Sequence, residues 1–497
     1  MALYSSQLLQ TPTTHSPYSL FRLLDTAWCT FTETIASTGW RAIHPVARSN
    51  ILRLLANITV GKITLVTESH TLHFGEADCA LHATLRVKSD AFWVRVALFT
   101  DLGLAEAFMF GDLDCEDISA LIQILIANRH LLTVETMLAS VLAKGRALTS
   151  NKFIGSLANS RANISAHYDL GNTMFSAFLS KDMNYSSAIF KDFNEDLDPT
   201  IAVRESLEEA QLRKCRLVLK KANIRPGQRV LEIGTGWGCL AILAAETFDC
   251  TVETVTLSSN QAALARTRIA EAGFADRITV HCMDFRECRR RPEWAGSFDR
   301  FISVEMIEHV GKEFFVEYWA VADWALKKDT GVGVVQGITI PDARVAAYDA
   351  SVDFAQKWSE SSLCRPLRAT ADDEAAWAVF PGGYLPSFSL WVSTLNEGSA
   401  GRLVVDSVLN IGPHYARTLR EWKRRFLASW DGLSGVKQAL EEQYQLDAQG
   451  LEIFRRKWIY YFDYCEAAFK TRTLGDHLVT FTREGNVGFG CDLEVDA

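Results

Sequence analysis

The chain has 497 residues, 48% hydrophobic and 22% charged, which is the composition of a folded protein too long for one ordinary core. Its net charge of −9 argues against a general nucleic-acid binder, and no charge-free apolar run of about 18 residues predicts a transmembrane helix. Eleven scattered cysteines, without paired metal spacing, predict a reduced cytoplasmic protein with no metal site.

Met1 to Pro17 is rich in Ser and Thr and lacks a basic start with an apolar block, so no secretory signal is expected. Leu20 to Thr38 looks helical in patches. From Ile58 to Val87 the pattern turns β-like: Val60, Ile63, Leu65, Val66, Leu72 and Phe74 sit among polar residues, Gly61 and Gly75, and Ala83 to Val87 reads as another strand. Phe92 to Phe110 mixes aromatic and small residues. Ile118 to Leu132 reads as an apolar core helix. The polar stretch Lys144 to Ser160 reads as a linker. These features predict a smaller N-terminal α/β accessory domain, 1–148, and a second domain, 149–497.

The second part alternates strands and helices. Arg229–Ile233, Thr251–Leu257, Ile278–Cys282, Phe298–Val304 and Gly333–Ile340 read as strands, with helices at Gln261–Ala272 and Tyr318–Leu326. Such alternation predicts an α/β, doubly wound, Rossmann-like parallel sheet that binds ligands at the carboxyl ends of its strands. The first strand runs into Glu232-Ile233-Gly234-Thr235-Gly236-Trp237-Gly238 and an alanine-rich helix. Its glycines allow close backbone approach to a ligand facing a helix N-terminus. The third glycine of a dinucleotide fingerprint is displaced, to Gly238. Glu232 before the turn suits an S-adenosylmethionine-dependent methyltransferase instead.

Strand four ends in Glu305-Met306-Ile307-Glu308-His309, and a helical turn there would put Glu305 and Glu308 on one face. Asp284 is either an acceptor for an adenine amino group or a helix N-cap, and Phe285 is placed to pack on a base. Thr256 and Gln261 are within reach of a ribose. Upstream, His167-Tyr168-Asp169-Leu170-Gly171-Asn172 and Met183-Asn184-Tyr185-Ser186-Ser187 read as a cap over a cofactor.

These motifs, with Leu257 after Thr256, Met306 to Gly311, Phe380 to Ser387, His414 to Leu419 and Tyr460 to Phe469, resemble the cyclopropane-fatty-acid synthase family of class I methyltransferases. The pieces occur in order, and the N-terminal part resembles the extra domain of the phospholipid-acting members, most clearly at Gly103 to Asp112. The resemblance implies methyl transfer from S-adenosylmethionine to an alkene of an unsaturated phospholipid acyl chain. A carbocation follows, and a bound bicarbonate ion removes a proton to close a cyclopropane. By residue match, Glu308 and Tyr415 hold the bicarbonate, with backbone help near Ser187 and Ile338, and Gln336 and His167 join the catalytic set. Tyr185, Ser186, Glu232, Gly234, Thr235, Gly236, Trp237, Gly238, Thr256, Leu257, Gln261, Asp284 and Phe285 are the expected cofactor-binding residues. Ser187 and Gln336 replace the Cys and His of the best-known bacterial members, and the pattern resembles plant and fungal ones.

The 358–379 segment has no counterpart and is expected to be an insertion loop. The basic clusters Arg289-Arg290-Arg291, Lys423-Arg424-Arg425 and Arg455-Arg456-Lys457 read as solvated faces or contacts with lipid phosphates. The expected partners are therefore unsaturated phospholipid and a membrane surface bound peripherally, with the accessory domain serving lipid or homodimer contact. Two other readings stay open: a C-methyltransferase giving a methyl- or methylene-branched lipid or acting on a non-lipid alkene, and an impaired homologue that binds lipid or cofactor without turnover.

Overall fold

The structure is a computed structural model that describes residues 40–132, 171–350, 354, 383–431, 436–444 and 446–490. The expected linker, the insertion loop and His167 lie outside these residues. The chain divides into two compact units. The first collects residues 1–153, 346–380 and 426–471, and the second collects 154–345, 381–425 and 472–497. Residues 426–471, expected in the second domain, thus group with the N-terminal segment.

In the first unit, strands β1 (Lys62–Val66), β2 (Thr71–Gly75), β3 (His82–Val87) and β4 (Leu113–Cys115) form a sheet of order β2-β1-β3-β4. Ile63, Leu65, Ala83 and Leu85 alternate onto its buried face, as period-two patterning requires. Val60, expected in the strand region, is exposed and precedes β1. The Asn128 side chain accepts from the Thr59 and Val60 N–H groups and donates to Ile124 and Val60 carbonyls. The same side chain caps the helix Ile118–Ala127, so it stops short of the expected Leu132.

Phe92 to Phe110 lies in the helix Ala91–Met109, kinked at Thr100 (φ 52°, ψ −118°). The two halves approach so closely at Gly103 that a Cβ there would stand 2.0 Å from the Arg95 carbonyl oxygen. The helix Ala448–Lys470 belongs to the same unit. Arg456 pairs with Asp114 at 2.7 Å and donates to the Phe108 carbonyl, and Tyr460 rests its ring beside Phe108.

The second unit is a seven-stranded sheet of order β10-β11-β9-β8-β5-β6-β7. Its strands are β5 (Arg229–Ile233), β6 (Thr251–Thr256), β7 (Ile278–Cys282), β8 (Arg300–Val304), β9 (Val332–Thr339), β10 (Leu403–Asn410) and β11 (Gly475–Arg483). Strands β5 to β9 are parallel. β11 runs antiparallel to β9, and β10 antiparallel to β11. This is the doubly wound class expected, with an antiparallel edge that the strand–helix alternation did not reveal. Both faces are covered: Leu231, Phe301, Val335 and Phe481 point into one core, and Val230, Ile302, Val334 and Leu478 into the other. Near-continuous apolar runs are what a parallel sheet buried on both sides needs.

The order reverses between β5 and β8, so their carboxyl ends diverge and leave a crevice. β11 pairs with β9 along its length, and one packing contact within the pair is especially close. Gly333 faces Phe481, whose ring a Cβ on Gly333 would meet at 2.1 Å. Gly333→Ala is expected to destabilise the protein by about 1–3 kcal/mol, read as a lower urea midpoint. Phe481→Leu in the same chain should restore part of the loss.

Candidate active site

The turn after β5 carries the crevice wall. Gly234 (φ 104°) and Gly236 (φ 50°) take conformations that favour glycine, and a Cβ on Gly236 would meet nothing within 4 Å. Gly238 caps the helix Cys239–Phe248. A cavity opens here, lined by Tyr185, Ser186, Glu232, Gly234, Thr235, Gly236, Trp237, Thr256, Leu257, Gln261 and Phe285. These are the expected cofactor residues, apart from Gly238 and Asp284. Asp284 is buried and serves as an N-cap, its carboxylate accepting from the Arg286 backbone N–H and guanidinium.

The other lining groups are fixed by neighbours. Thr256 donates to Gln261 at 2.9 Å, and Ser258 caps the helix Ser259–Glu271. Glu232 is buried and accepts from Thr254 at 2.5 Å; burial pushes its carboxyl up to about 8. Trp237 donates to Asn172 at 2.8 Å. Tyr185 packs among Phe175, Phe178 and Trp422, which holds the segment 184–187 over the crevice.

Two side chains not singled out in the sequence hold that segment from below. On the helix Leu207–Ala222, Gln211 donates to the Ser186 carbonyl at 2.7 Å and Lys214 to the Ser186 hydroxyl at 2.5 Å. Both are buried. Their signal was legible: they occupy the apolar stripe Leu207, Ala210, Cys215, Val218, Leu219, Ala222, where a polar residue needs a partner.

Beyond the crevice lies a cluster of carboxyl groups. The chain leaves β8 at Glu305, a non-glycine residue with φ 47°, a conformation costing roughly 1–2 kcal/mol. The following turn, Ile307–His309, is a short 3-10 helix. Glu305 and Glu308 therefore converge through a strained bend and not along a helix face. Glu305 Oε1 accepts from the Ser187 backbone N–H at 2.8 Å and from Gln336 Nε2 at 2.8 Å, and Oε2 accepts from the Tyr415 hydroxyl at 2.7 Å. Gln336 Nε2 also donates to Asp476 at 2.9 Å. Glu308 accepts from the Ile338 backbone N–H, while its Oε2 is buried without a hydrogen bond.

Burial raises all three carboxyls. Glu308, with Glu305 as a like-charged neighbour, is pushed up to about 8, and Asp476 goes well above the carboxylate range for the same two reasons. Glu305 is raised by enclosure, which the Ser187 N–H, the Lys214 charge and the Tyr415 hydroxyl oppose. Of the three, Glu305 borders the cavity, together with Met306 and His309. Burial pushes His309 down to about 4, so the imidazole is neutral.

The structure thus brings together Ser187, Glu308, Gln336, Ile338 and Tyr415 as expected, with Glu305 and Asp476 added. All three basic clusters contribute ion pairs inside their units: Arg290 with Glu287 at 2.9 Å, Arg425 with Glu208 at 2.8 Å, and Arg456 with Asp114. No helix among the described residues is long and apolar enough to cross a membrane.

A family described as mycolic acid cyclopropane synthetase matches residues 156–477. The chain is 31% identical to a tuberculostearic acid methyltransferase of Mycobacterium tuberculosis, over 91% of this chain and 97% of that one. It is 30% identical to a cyclopropane-fatty-acyl-phospholipid synthase of Escherichia coli, over 81% and 88%. Among solved structures it resembles a mycolic acid cyclopropane synthase complexed with SAH and CTAB, at 26% identity and a TM-score of 0.50, covering 65% of this chain and 97% of that one. A coclaurine N-methyltransferase matches in fold, at 18% identity and a TM-score of 0.53, covering 77% and 99%.

Glu308 has its folded value at about 8, above the ordinary 4.5 of the unfolded chain. Its contribution to stability is intact below about pH 4.5 and is lost as pH rises through about 8. Glu308→Gln keeps the neutral shape without titrating. Its melting temperature relative to the parent is expected to rise between about pH 5 and about pH 8, and a flat difference would place the carboxyl at an ordinary pKa.

Proposed function

Because the chain belongs to the mycolic acid cyclopropane synthetase family of S-adenosylmethionine-dependent methyltransferases, we propose that it methylates the double bond of an unsaturated acyl chain carried by a phospholipid. The observation that carries this reading is an open crevice at the switch point of the sheet, meeting a buried group of carboxyls at one residue, Glu305.

The lining suits the cofactor. The open space over Gly236 leaves room for a ligand against the backbone, Thr256 and Gln261 offer hydroxyl and amide to a ribose, and Leu257 and Phe285 offer faces to a base. Tyr185 and Ser186 cover the opposite side. The bound cofactor supplies an electrophilic methyl group on a sulfonium. The acyl chain contributes the alkene π pair and is left with positive charge on the neighbouring carbon. That charge needs negative density and exclusion of water. Glu305 meets the first need, and the aromatic cap of Phe175, Phe178, Tyr185 and Trp422 serves the second.

The residues present do not fit bicarbonate. Ser187 N–H, the Gln336 amide and the Tyr415 hydroxyl, all expected around that ion, are already committed to Glu305 and Asp476, and the Ile338 N–H to Glu308.

A second reading keeps the methyl transfer and changes the product to a methyl- or methylene-branched chain; the names of two relatives, a methyltransferase and a cyclopropane synthase, favour considering both. The peripheral membrane contact belongs to the same proposal, because the substrate chain lies in a bilayer.

The test uses methyl-labelled S-adenosylmethionine and vesicles of mixed unsaturated phospholipids, with the labelled lipids analysed by mass and NMR. Cyclopropane ring protons are expected under the first reading and a branched chain under the second. No label in any lipid would overturn the phospholipid assignment. In addition, Gly236→Ala is expected to fold, since its Cβ has open space, but to bind S-adenosylmethionine at least about tenfold more weakly by calorimetry.

A further inference from the structure

Resting on the methyl-transfer reading, we infer that Glu305 is the base of this reaction, a carboxylate built into the chain where a bound anion would otherwise have to sit. Three observations carry the inference. Glu305 receives three hydrogen bonds, from the Ser187 N–H, Gln336 Nε2 and the Tyr415 hydroxyl. A carboxylate with three donors is held as an anion better than one with fewer. Glu308 accepts from two backbone N–H groups, those of Ile338 and Glu308 itself, and Asp476 accepts from Gln336 and shares a hydrogen bond with Glu305 that favours the ionised form of Glu305, so the negative charge of the cluster settles on Glu305.

The donors are also used up. Gln336 spends both amide hydrogens, one on Glu305 and one on Asp476. Ser187 has one N–H, and its hydroxyl donates to the Ala188 carbonyl. A further anion would enter beside three carboxyls and find none of these hydrogens free.

Lastly, Glu305 borders the cavity, whereas Glu308 and Asp476 stand behind it. The buried Lys214 is tied to Ser186 on the cavity wall, and its charge favours the ionised form of Glu305.

The chemistry balances without a co-reactant. After methyl transfer the substrate carries a carbocation. Glu305 takes one proton from it. The released C–H electron pair becomes the third bond of a ring when the proton leaves the added methyl group and the pair bridges to the cationic carbon. The pair becomes a double bond when the proton leaves a carbon bonded to the cationic centre. The protonated Glu305 then returns its proton to water through the open cavity.

Glu305→Gln keeps the size and the Tyr415 contact but cannot take a proton. Glu305→Gly removes the carboxylate and relieves the φ of 47°, leaving a hole lined by the same donors. The parent is expected to turn over equally in carbon-dioxide-free buffer and with added bicarbonate. Glu305→Gln should lose at least about 100-fold in lipid product while S-adenosylmethionine binding by calorimetry stays within about threefold. Carbon-13 formate, followed by NMR with neither lipid nor cofactor present, should bind Glu305→Gly and not the parent. Added formate or bicarbonate should restore part of that variant's turnover.

The inference is overturned if the parent slows when bicarbonate is removed, if Glu305→Gln forms product at the parent rate, or if the parent binds formate as well as Glu305→Gly does. A parent that labels no lipid defeats the methyl-transfer reading instead; the formate experiment still decides whether Glu305 fills an anion site.

Discussion

The Gln336 side chain ties three strands with one nitrogen. It stands on β9 and donates to Glu305 at the end of β8 and to Asp476 near the start of β11. Buried carboxyls are expensive unless each finds a donor, and an amide supplies two hydrogens without adding charge. A histidine in this place would present one N–H to each side only when protonated. Glutamine adds no titration of its own, and the location of the negative charge is set by the donors around each carboxyl. The antiparallel β11 is therefore more than an edge cover for the sheet. It delivers Asp476, which turns a pair of glutamates into a three-carboxyl cluster.

The same economy appears around Ser186. Gln211 and Lys214 occupy core-facing positions of a helix and spend their polar ends on one short segment, which carries Tyr185 on the crevice side and Ser187 on the carboxyl side. Cofactor cavity and carboxyl cluster are consequently positioned by one stretch of backbone. A shift there moves both, which gives a physical reason for a lysine to be buried at that wall.

Much of the second unit was legible in the sequence because parallel strands announce themselves as short apolar runs between helical stretches. Val230 to Ile233 and the glycine turn after it are the clearest case. β10 and β11 were missed because their pairing is antiparallel and non-local, with Leu403 opposite Arg483, and no helix separates β11 from its sheet neighbour β9 in space. The gathering of Ser187, Glu308, Gln336, Ile338 and Tyr415 came from resemblance and not from spacing. Glu305 was visible as a carboxyl at a strand end, but its left-handed backbone, which aims it at Tyr415, is set by tertiary packing. Asp284 shows the converse. Its cap role is visible in the structure, where it accepts from the Arg286 backbone and guanidinium two residues on, a pairing that the sequence pattern did not announce.

The first unit is assembled from segments far apart in the chain, and this has a consequence for how the protein is made. Arg456 reaches Asp114 across 342 residues, and the Phe108 carbonyl across 348. The sheet of β1 to β4 leaves the ribosome well before the helix Ala448–Lys470, which carries Phe454, Trp458, Tyr461 and Phe462. At about 5–20 residues per second, the early half waits on the order of tens of seconds for that partner. During synthesis it is an open sandwich, and its exposed apolar side is a natural client for whatever chaperones attend the growing chain.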